Sequence, residues 1–321
     1  MTMLTLHSSP LQGFTDFRFR NAFQKFFGGI DQYIAPYIRL KGNLEIKAAN
    51  KRDILPENNQ ALDLVPQIIT KDADAFLFVA DHIQRLGYKE LNWNLGCPYP
   101  MVAKRGMGSG LLKSPDTIDE ILNRVSSESD ICLSIKMRLG YENSQEIFGV
   151  LPVLERYPLT NITIHPRIGK QLYKGEVDLE TFERCLGQSS HKIFYNGDIT
   201  SVQRFREMKD RFPGISHWMI GRGLIADPFL PAMIKADNSV YPENRYEVFN
   251  TFHDLLFSSY EEALSGPKHL LMKMYSFWEY FIHSFPSSPK GLRKIRKAQS
   301  VGAYRETVRQ LINKESKWKL D

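Results

Sequence analysis

Short apolar runs alternate, along the first two thirds of the chain, with longer stretches in which apolar residues recur three and four apart. The runs predict eight strands: Met3–Ser8, Gln32–Pro36, Leu64–Ile69, Glu90–Leu95, Ile131–Met137, Asn161–His165, Lys192–Tyr195 and His217–Ile220. Helices are predicted between them at Phe17–Phe27, Asp72–Leu86, Asp116–Ser126, Ser144–Arg156, Leu179–Leu186 and Ser201–Arg211, with Thr15, Ser114, Asp178 and Thr200 available near their starts as caps. The crossover around residues 41–59 is irregular. No GxGxxG follows the first strand, so the alternation predicts an α/β fold of the (β/α)8 TIM barrel kind rather than a doubly wound sheet. After Asp227-Pro228 the strand pattern stops. Helical periodicity then fills Tyr246–Leu264, Pro267–His283, Gly291–Ser300 and Tyr304–Lys314. The predicted division is a catalytic barrel over residues 1–240 and an all-helical C-terminal domain over 241–321.

One stretch stands out within that rhythm. In Leu91-Asn92-Trp93-Asn94-Leu95-Gly96-Cys97-Pro98-Tyr99-Pro100 the apolar residues alternate with two asparagines, and Gly96 with two prolines then forbids the ladder from continuing. An isolated cysteine often packs as a small hydrophobe. Here it sits at an enforced turn, behind amide side chains able to donate and accept on one plane, which suits the edge of a nucleobase or an amide-bearing ring.

In a barrel of this kind chemistry collects at the carboxyl ends of the strands. Polar residues fall there repeatedly. The first strand runs into Pro10-Leu11-Gln12-Gly13; the third carries Gln67; the fourth delivers Asn94 and Cys97; the fifth holds Lys136 and Arg138. A lysine inside an apolar strand is costly unless an anion meets it. The sixth strand ends in His165-Pro166-Arg167, the seventh in Asn196-Gly197-Asp198, and the eighth in Gly221-Arg222-Gly223. The last two turns each precede a helix, and their backbone N–H groups suit a phosphate at the barrel mouth.

Composition narrows the setting. The chain has 321 residues, of which 42% are hydrophobic, enough for a sizeable core. Its N-terminus shows no basic, apolar leader and no run is long enough to span a bilayer, which predicts a cytoplasmic protein without membrane partners. Cys97, Cys132 and Cys185 have no disulfide or zinc spacing, so neither a disulfide framework nor a structural metal is expected. The net charge of +6 is concentrated: from Ser287 onward ten bases, among them Arg293, Lys294, Arg296 and Lys297, stand against three acids. Such a local field suits a polyanionic partner.

With these motifs on one line, the sequence resembles the tRNA-dihydrouridine synthases along nearly its whole length. The matching pieces are Pro10-Leu11-Gln12-Gly13-Phe14-Thr15-Asp16, the Gln67 strand, Asn92-Trp93-Asn94-Leu95-Gly96-Cys97-Pro98, Gly106-Met107-Gly108-Ser109-Gly110-Leu111-Leu112, Lys136-Met137-Arg138, His165-Pro166-Arg167, Gln171-Leu172-Tyr173, Asn196-Gly197-Asp198 and Gly221-Arg222-Gly223. The chain departs from the family pattern at Asn92, Thr70, Pro166, Ile168 and Gly110. The resemblance implies an FMN-bearing barrel that reduces the C5=C6 bond of a tRNA uridine with electrons from NADPH, and a helical domain that grips the tRNA. It implies Cys97 as the proton donor to C5 and Asn94 at the uracil edge, with Arg138, Arg167, Gln171 and Tyr173 also on the substrate side. Gln67 and Lys136 would meet the flavin ring, Pro10, Leu11 and Gln12 would line it, and His165, Asn196, Gly197, Asp198, Gly221 and Arg222 would hold the ribityl chain and phosphate. Arg293, Lys294, Arg296 and Lys297 would take tRNA phosphates. A monomer is expected. The alternative is an FMN barrel acting on a free pyrimidine, as dihydroorotate or dihydropyrimidine dehydrogenases do, for which the basic appendage has no use.

Overall fold

Nine β-segments and fourteen α-helices make up the computed structural model, which describes residues 3–40, 42, 44–285 and 288–317. The segments are β1 (Thr5–Ser8), β2 (Gln32–Ile34), β3 (Leu64–Val65), β4 (Gln67–Ile68), β5 (Glu90–Leu95), β6 (Cys132–Gly140), β7 (Leu159–Ile168), β8 (Ile193–Tyr195) and β9 (His217–Ile220), paired in parallel in the order β3-β2-β1-β9-β8-β7-β6-β5-β4. The two ends of that order are one chain segment. Leu64–Val65 pairs with β2 and Gln67–Ile68 with β5, so the third predicted strand is split at Pro66 and its two halves close an eightfold barrel. Proline has no N–H for the ladder, yet its carbonyl still accepts from the Asn92 amide at 2.9 Å.

Around the barrel run α1 (Phe17–Phe26), α2 (Ala48–Ile54), α3 (Ala73–Arg85), α4 (Pro100–Ala103), α5 (Pro115–Glu128), α6 (Ile147–Leu154), α7 (Leu179–Leu186), α8 (Val202–Arg211), α9 (Arg222–Ala226) and α10 (Leu230–Lys235). The irregular crossover becomes α2 and a 3-10 turn at Pro56–Asn58. Two predicted caps shift by one residue: Asp16, not Thr15, accepts from Phe19, and Ser201, not Thr200, accepts from Arg204. Thr15 instead accepts from the Leu11 amide at 2.9 Å and folds the loop after β1. Asp178 caps α7 as predicted, whereas Ser114 makes no side-chain cap.

Two apolar regions result. The outward faces of the strands and the inward faces of the helices form one large core, and Ile34, Val65 and Met219 form a small separate cluster inside the barrel. His7 is buried close by. It hydrogen-bonds Gln32 at 3.2 Å and His217 at 3.0 Å, while His217 stacks on Phe194.

The remaining chain is helical: α11 (Arg245–Ala263), α12 (Pro267–Phe281), a 3-10 turn at Ile282–Ser284, α13 (Ser288–Lys297) and α14 (Val301–Lys317). Phe252 of α11 meets Phe19 and Phe27 edge-on, and Phe277 of α12 stacks on Phe19 at 5.7 Å. The large core therefore continues from the barrel into these helices. On the loop after β1, Phe14 packs edge-on against Phe277 and Tyr280. Among the described residues no helix is long and apolar enough to cross a membrane. Lys319 and the three other residues after Lys317 lie outside the described chain.

Candidate active site at the barrel mouth

The strand before Cys97 divides its side chains by alternation. Leu91, Trp93 and Leu95 are buried in the outer core, with Trp93 edge-on to Phe76, so Asn92 and Asn94 turn inward. Inside, amides satisfy one another. Gln67 donates to Asn92 at 2.7 Å, Asn92 donates to Ser134 at 2.8 Å, and Asn94 donates to Gln67 at 2.8 Å. The Oδ1 of Asn94 then accepts from the backbone amides of Gly96 (3.1 Å) and Cys97 (2.8 Å), ending the strand in a turn that lifts Cys97 onto the rim.

The glycine-rich segment behind that turn braces it. Ser109 donates to the Cys97 carbonyl from its amide at 3.1 Å and its hydroxyl at 3.0 Å. Gly108 has φ +56, and a Cβ there would come within 2.9 Å of the Cys97 Cβ. Any larger residue would displace the thiol. Tyr37, immediately before the bridge that Ile38 makes to β4, sets its hydroxyl 3.9 Å from the Cys97 sulfur.

Cations gather on the adjoining wall. Lys136 and Arg138 share the inward face of β6. Burial first, then Arg138, pulls the Lys136 ammonium down to about 7, although Cys97 opposes the shift. Its Nζ donates to Asn196 at 2.7 Å, and among the described residues no carboxylate pairs with it. Arg138 is buried, donates to the Ile168 carbonyl at 2.8 Å and is itself lowered to about 10, chiefly by burial. Tyr173 lies 5.2 Å from the Arg138 guanidinium and 4.5 Å from that of Arg222. Burial and the surrounding arginines and lysine hold His165 well below its ordinary range, so it is neutral. Arg167 can only donate, so the His165 Nε2 at 3.1 Å is the acceptor and the ring proton sits on Nδ1.

Asp198 is the counter-charge. It adopts a left-handed backbone (φ 42) and receives both Arg167 and Arg222. Burial raises its carboxyl, but the two arginines outweigh that effect and hold it below the usual carboxylate range.

These walls enclose a cavity of about 1050 Å3. Pro10, Leu11 and Gln12 reach it from β1, Asn94 and Cys97 from β5, Lys136 and Arg138 from β6, His165 and Tyr173 from β7, Asn196, Gly197 and Asp198 from β8, and Gly221 and Arg222 from β9. Three predicted site residues stand off its surface. Gln67 is wholly buried beneath the floor, Arg167 lies behind Asp198, and Gln171 is spent on the Ile168 amide at 2.8 Å and the Glu176 carbonyl. Arg293, Lys294, Arg296 and Lys297 are exposed on α13, outside the cavity, and Arg296 is paired with Glu279. Sequence reasoning missed Tyr37, Tyr280, His283 and Ser284, all of which line the cavity. Tyr37 had a legible signal, since it follows a predicted strand at its carboxyl end; the other three arrive from α12 and the turn after it, which long-range packing, including Phe14 on Phe277 and Ser284 on the Ala226 carbonyl, brings to the mouth.

Comparison with known proteins agrees with this geometry. The probable tRNA-dihydrouridine synthase of Rhodobacter capsulatus is 26% identical over 260 residues, 80% of this chain and 79% of that one. Similarity to tRNA-dihydrouridine synthase B of Pasteurella multocida (28% over 189 residues) spans 57% of each chain, little more than half the length of that relative. Among solved structures, morphinone reductase superposes with a TM-score of 0.52 at 8% identity over 74% of this chain and 87% of that one, and the old yellow enzyme from Trypanosoma cruzi with 0.50 at 10% over 76% and 91%. At such identities the likeness is one of barrel architecture. The sequence model described as dihydrouridine synthase (Dus) matches residues 7–318, from β1 to the end of the described chain. It takes in every loop that builds the cavity, and the chain belongs to the dihydrouridine synthase family.

Proposed function

We propose that the protein is a tRNA-dihydrouridine synthase, a flavin-dependent oxidoreductase that uses NADPH and FMN to saturate the C5=C6 bond of a uridine in tRNA. The observation that carries this reading is that the Cys97 thiol and the Lys136 ammonium, from neighbouring strands, face one cavity large enough for a planar cofactor beside a base. The residues present fit FMN. A cationic wall (Lys136, Arg138, Arg222) is offset at the surface chiefly by Asp198, and two glycine turns at Gly197 and Gly221 bring backbone to the cavity lining, where it suits a phosphate.

Bound there, FMN would supply the hydride to uracil C6. Cys97 would give the proton to C5, held at the rim by Asn94 and Ser109. Lys136 would bind the flavin edge where negative charge gathers on reduction, while Pro10, Leu11 and Gln12 line the ring and Gln67 steadies the floor through Asn94. His165, Asn196, Asp198 and Arg222 would hold the ribityl chain and phosphate, Arg138 and Tyr173 would serve the uridine side, and Arg167 and Gln171, both off the cavity surface, would act only by bracing Asp198 and the Ile168 backbone. Residues 241–321 would act as the tRNA-binding domain of a cytoplasmic monomer, with α13 on the phosphates.

Anaerobic reduction of the purified protein by NADPH, followed by an unmodified tRNA transcript, tests this. Reoxidation of the flavin together with dihydrouridine in the RNA is the expected result. Reoxidation by free uracil but not by tRNA would replace the reading with a free-pyrimidine oxidoreductase.

A further inference from the structure

Beyond the cavity itself, the segment from Tyr99 to Arg105 presents a surface for which the reaction chemistry has no use. Tyr99 follows the Cys97 turn by two residues, lines the cavity with part of its ring and is 56% exposed; Met101, on the first turn of α4, is 64% exposed. Large apolar side chains so open to water beside a site mark a contact surface. Three cations adjoin them. Lys104 and Arg105 are exposed, and the Lys71 side chain packs over Gly106, where a Cβ would lie 3.8 Å from its Nζ. Among the described residues none of the three has a carboxylate within ion-pair range.

Its position in the ring matters as much as its chemistry. β5, which delivers this segment, and β9, which leads to α9 and the helices beyond, have three barrel strands between them in either direction, counting β3 and β4 as one. They stand half a turn apart. Tyr280 and His283 reach the cavity from the β9 side, and α13 packs on the turn that carries His283. The mouth thus lies between two basic surfaces: α13 on one shoulder and Lys71, Lys104 and Arg105 on the other, the second bearing an exposed aromatic at the cavity edge.

We infer that this segment is a second RNA contact, in which Tyr99 stacks on the base next to the extruded uridine while Lys71, Lys104 and Arg105 take the phosphates flanking it. The inference rests on the proposed reading of the cavity. A base drawn from its stack leaves its neighbour with an uncovered face, and an aromatic ring at the mouth covers it irrespective of base identity. Charge complementarity favours a polyanion, and the α4 side supplies three unpaired cations.

The flavin-loaded protein and an unmodified tRNA transcript provide the test. Tyr99→Ala weakens transcript binding about tenfold, whereas Tyr99→Trp stays within about twofold of wild type. A Lys104→Glu, Arg105→Glu double variant lowers the slope of log affinity against log salt by about two. NADPH oxidation without tRNA is unchanged in the double variant, neither of whose residues lines the cavity. Wild-type affinity and salt slope in Tyr99→Ala and in the double variant, with the wild-type protein reoxidised by the transcript, would overturn this assignment alone. A wild-type protein that neither binds the transcript nor is reoxidised by it would overturn the parent reading as well.

Discussion

The Tyr37 hydroxyl stands 3.9 Å from the Cys97 sulfur, reaching from the end of β2 past the split strand β3–β4 to the end of β5. Burial first, and then Cys97, raises the Tyr37 phenol, so it stays protonated and, in the proposed reaction, would donate to the thiolate that Cys97 would leave on giving up its proton. Cys97→Ala is expected to keep its flavin and accept electrons from NADPH, but to lose about 100- to 10,000-fold in dihydrouridine formation. Tyr37→Phe removes one hydrogen bond and should cost only about twofold to tenfold in the same step. Stopped-flow reoxidation of reduced flavin by tRNA measures both, and normal turnover in Cys97→Ala would remove it from the proton-donor role.

Asn94 is the residue that sets where the thiol stands. Its Oδ1 holds two backbone amides and its Nδ2 is anchored by Gln67. Asn94→Ala should leave the barrel folded and FMN bound while lowering turnover at least tenfold, because the Cys97 loop loses its tether. An unchanged rate at saturating tRNA would show that Ser109 and Gly108 suffice.

Lys136 gives a pH signature that does not need substrate. Its folded-state value, about 7, lies below its ordinary value of 10.5, so between those limits the unfolded chain binds the extra proton. Stability therefore rises with pH across that window, and below about 7 the cost of the buried charge is present in full. The flavin-free protein should gain melting temperature from pH 7 to 9 relative to Lys136→Met, and an anionic ligand should abolish that gain by holding the charge. Parallel melting curves for the two proteins would refute the assignment.

His7 supplies a second, acid-side signature. Burial and the neighbouring His217 depress it from 6.5 to about 4. Its contribution to stability is full above 6.5 and is lost as pH falls toward 4, because the unfolded chain then takes up the proton first. His7→Gln, which keeps a polar partner for Gln32, should flatten the acid limb of the stability curve. Thermal melts at steps between pH 7 and 4 check this.

Charge reversal at Arg293 and Lys297 should weaken tRNA binding and reduce its salt slope by about two, leaving NADPH oxidation alone. Both side chains are exposed on α13 and, among the described residues, have no carboxylate partner. Arg296, tied to Glu279, should matter less. Equal losses from all three would mean that the Glu279 pair opens on RNA.

Much of this was legible because strands and turns announce themselves locally. Glu90–Leu95 and His217–Ile220 were read to the residue, since the first alternates to its end and the second is a short apolar run closed by Gly221. What the sequence hid was register. Gln67 carries the polar character of a ligand-facing residue, yet β4 pairs it opposite Asn92 and seals it below the floor. Arg167 and Asp198 read as two separate site residues, and the β7–β8 neighbourhood turns them into an ion pair with the arginine buried behind the carboxylate. Short helices such as α4 and α9 escaped because a single turn has no period to detect.

Pro66 leaves the cylinder with a seam. Leu64–Val65 pairs with β2 and Gln67–Ile68 with β5, and at the join the chain supplies a carbonyl but no amide to the ladder. Breathing motions of the wall should thus concentrate along this one line. Amide exchange near residues 64–68 would outpace that of β6 and β7, and the floor of the cavity, hung on Gln67 just past the join, would be the first part of the site to soften on warming.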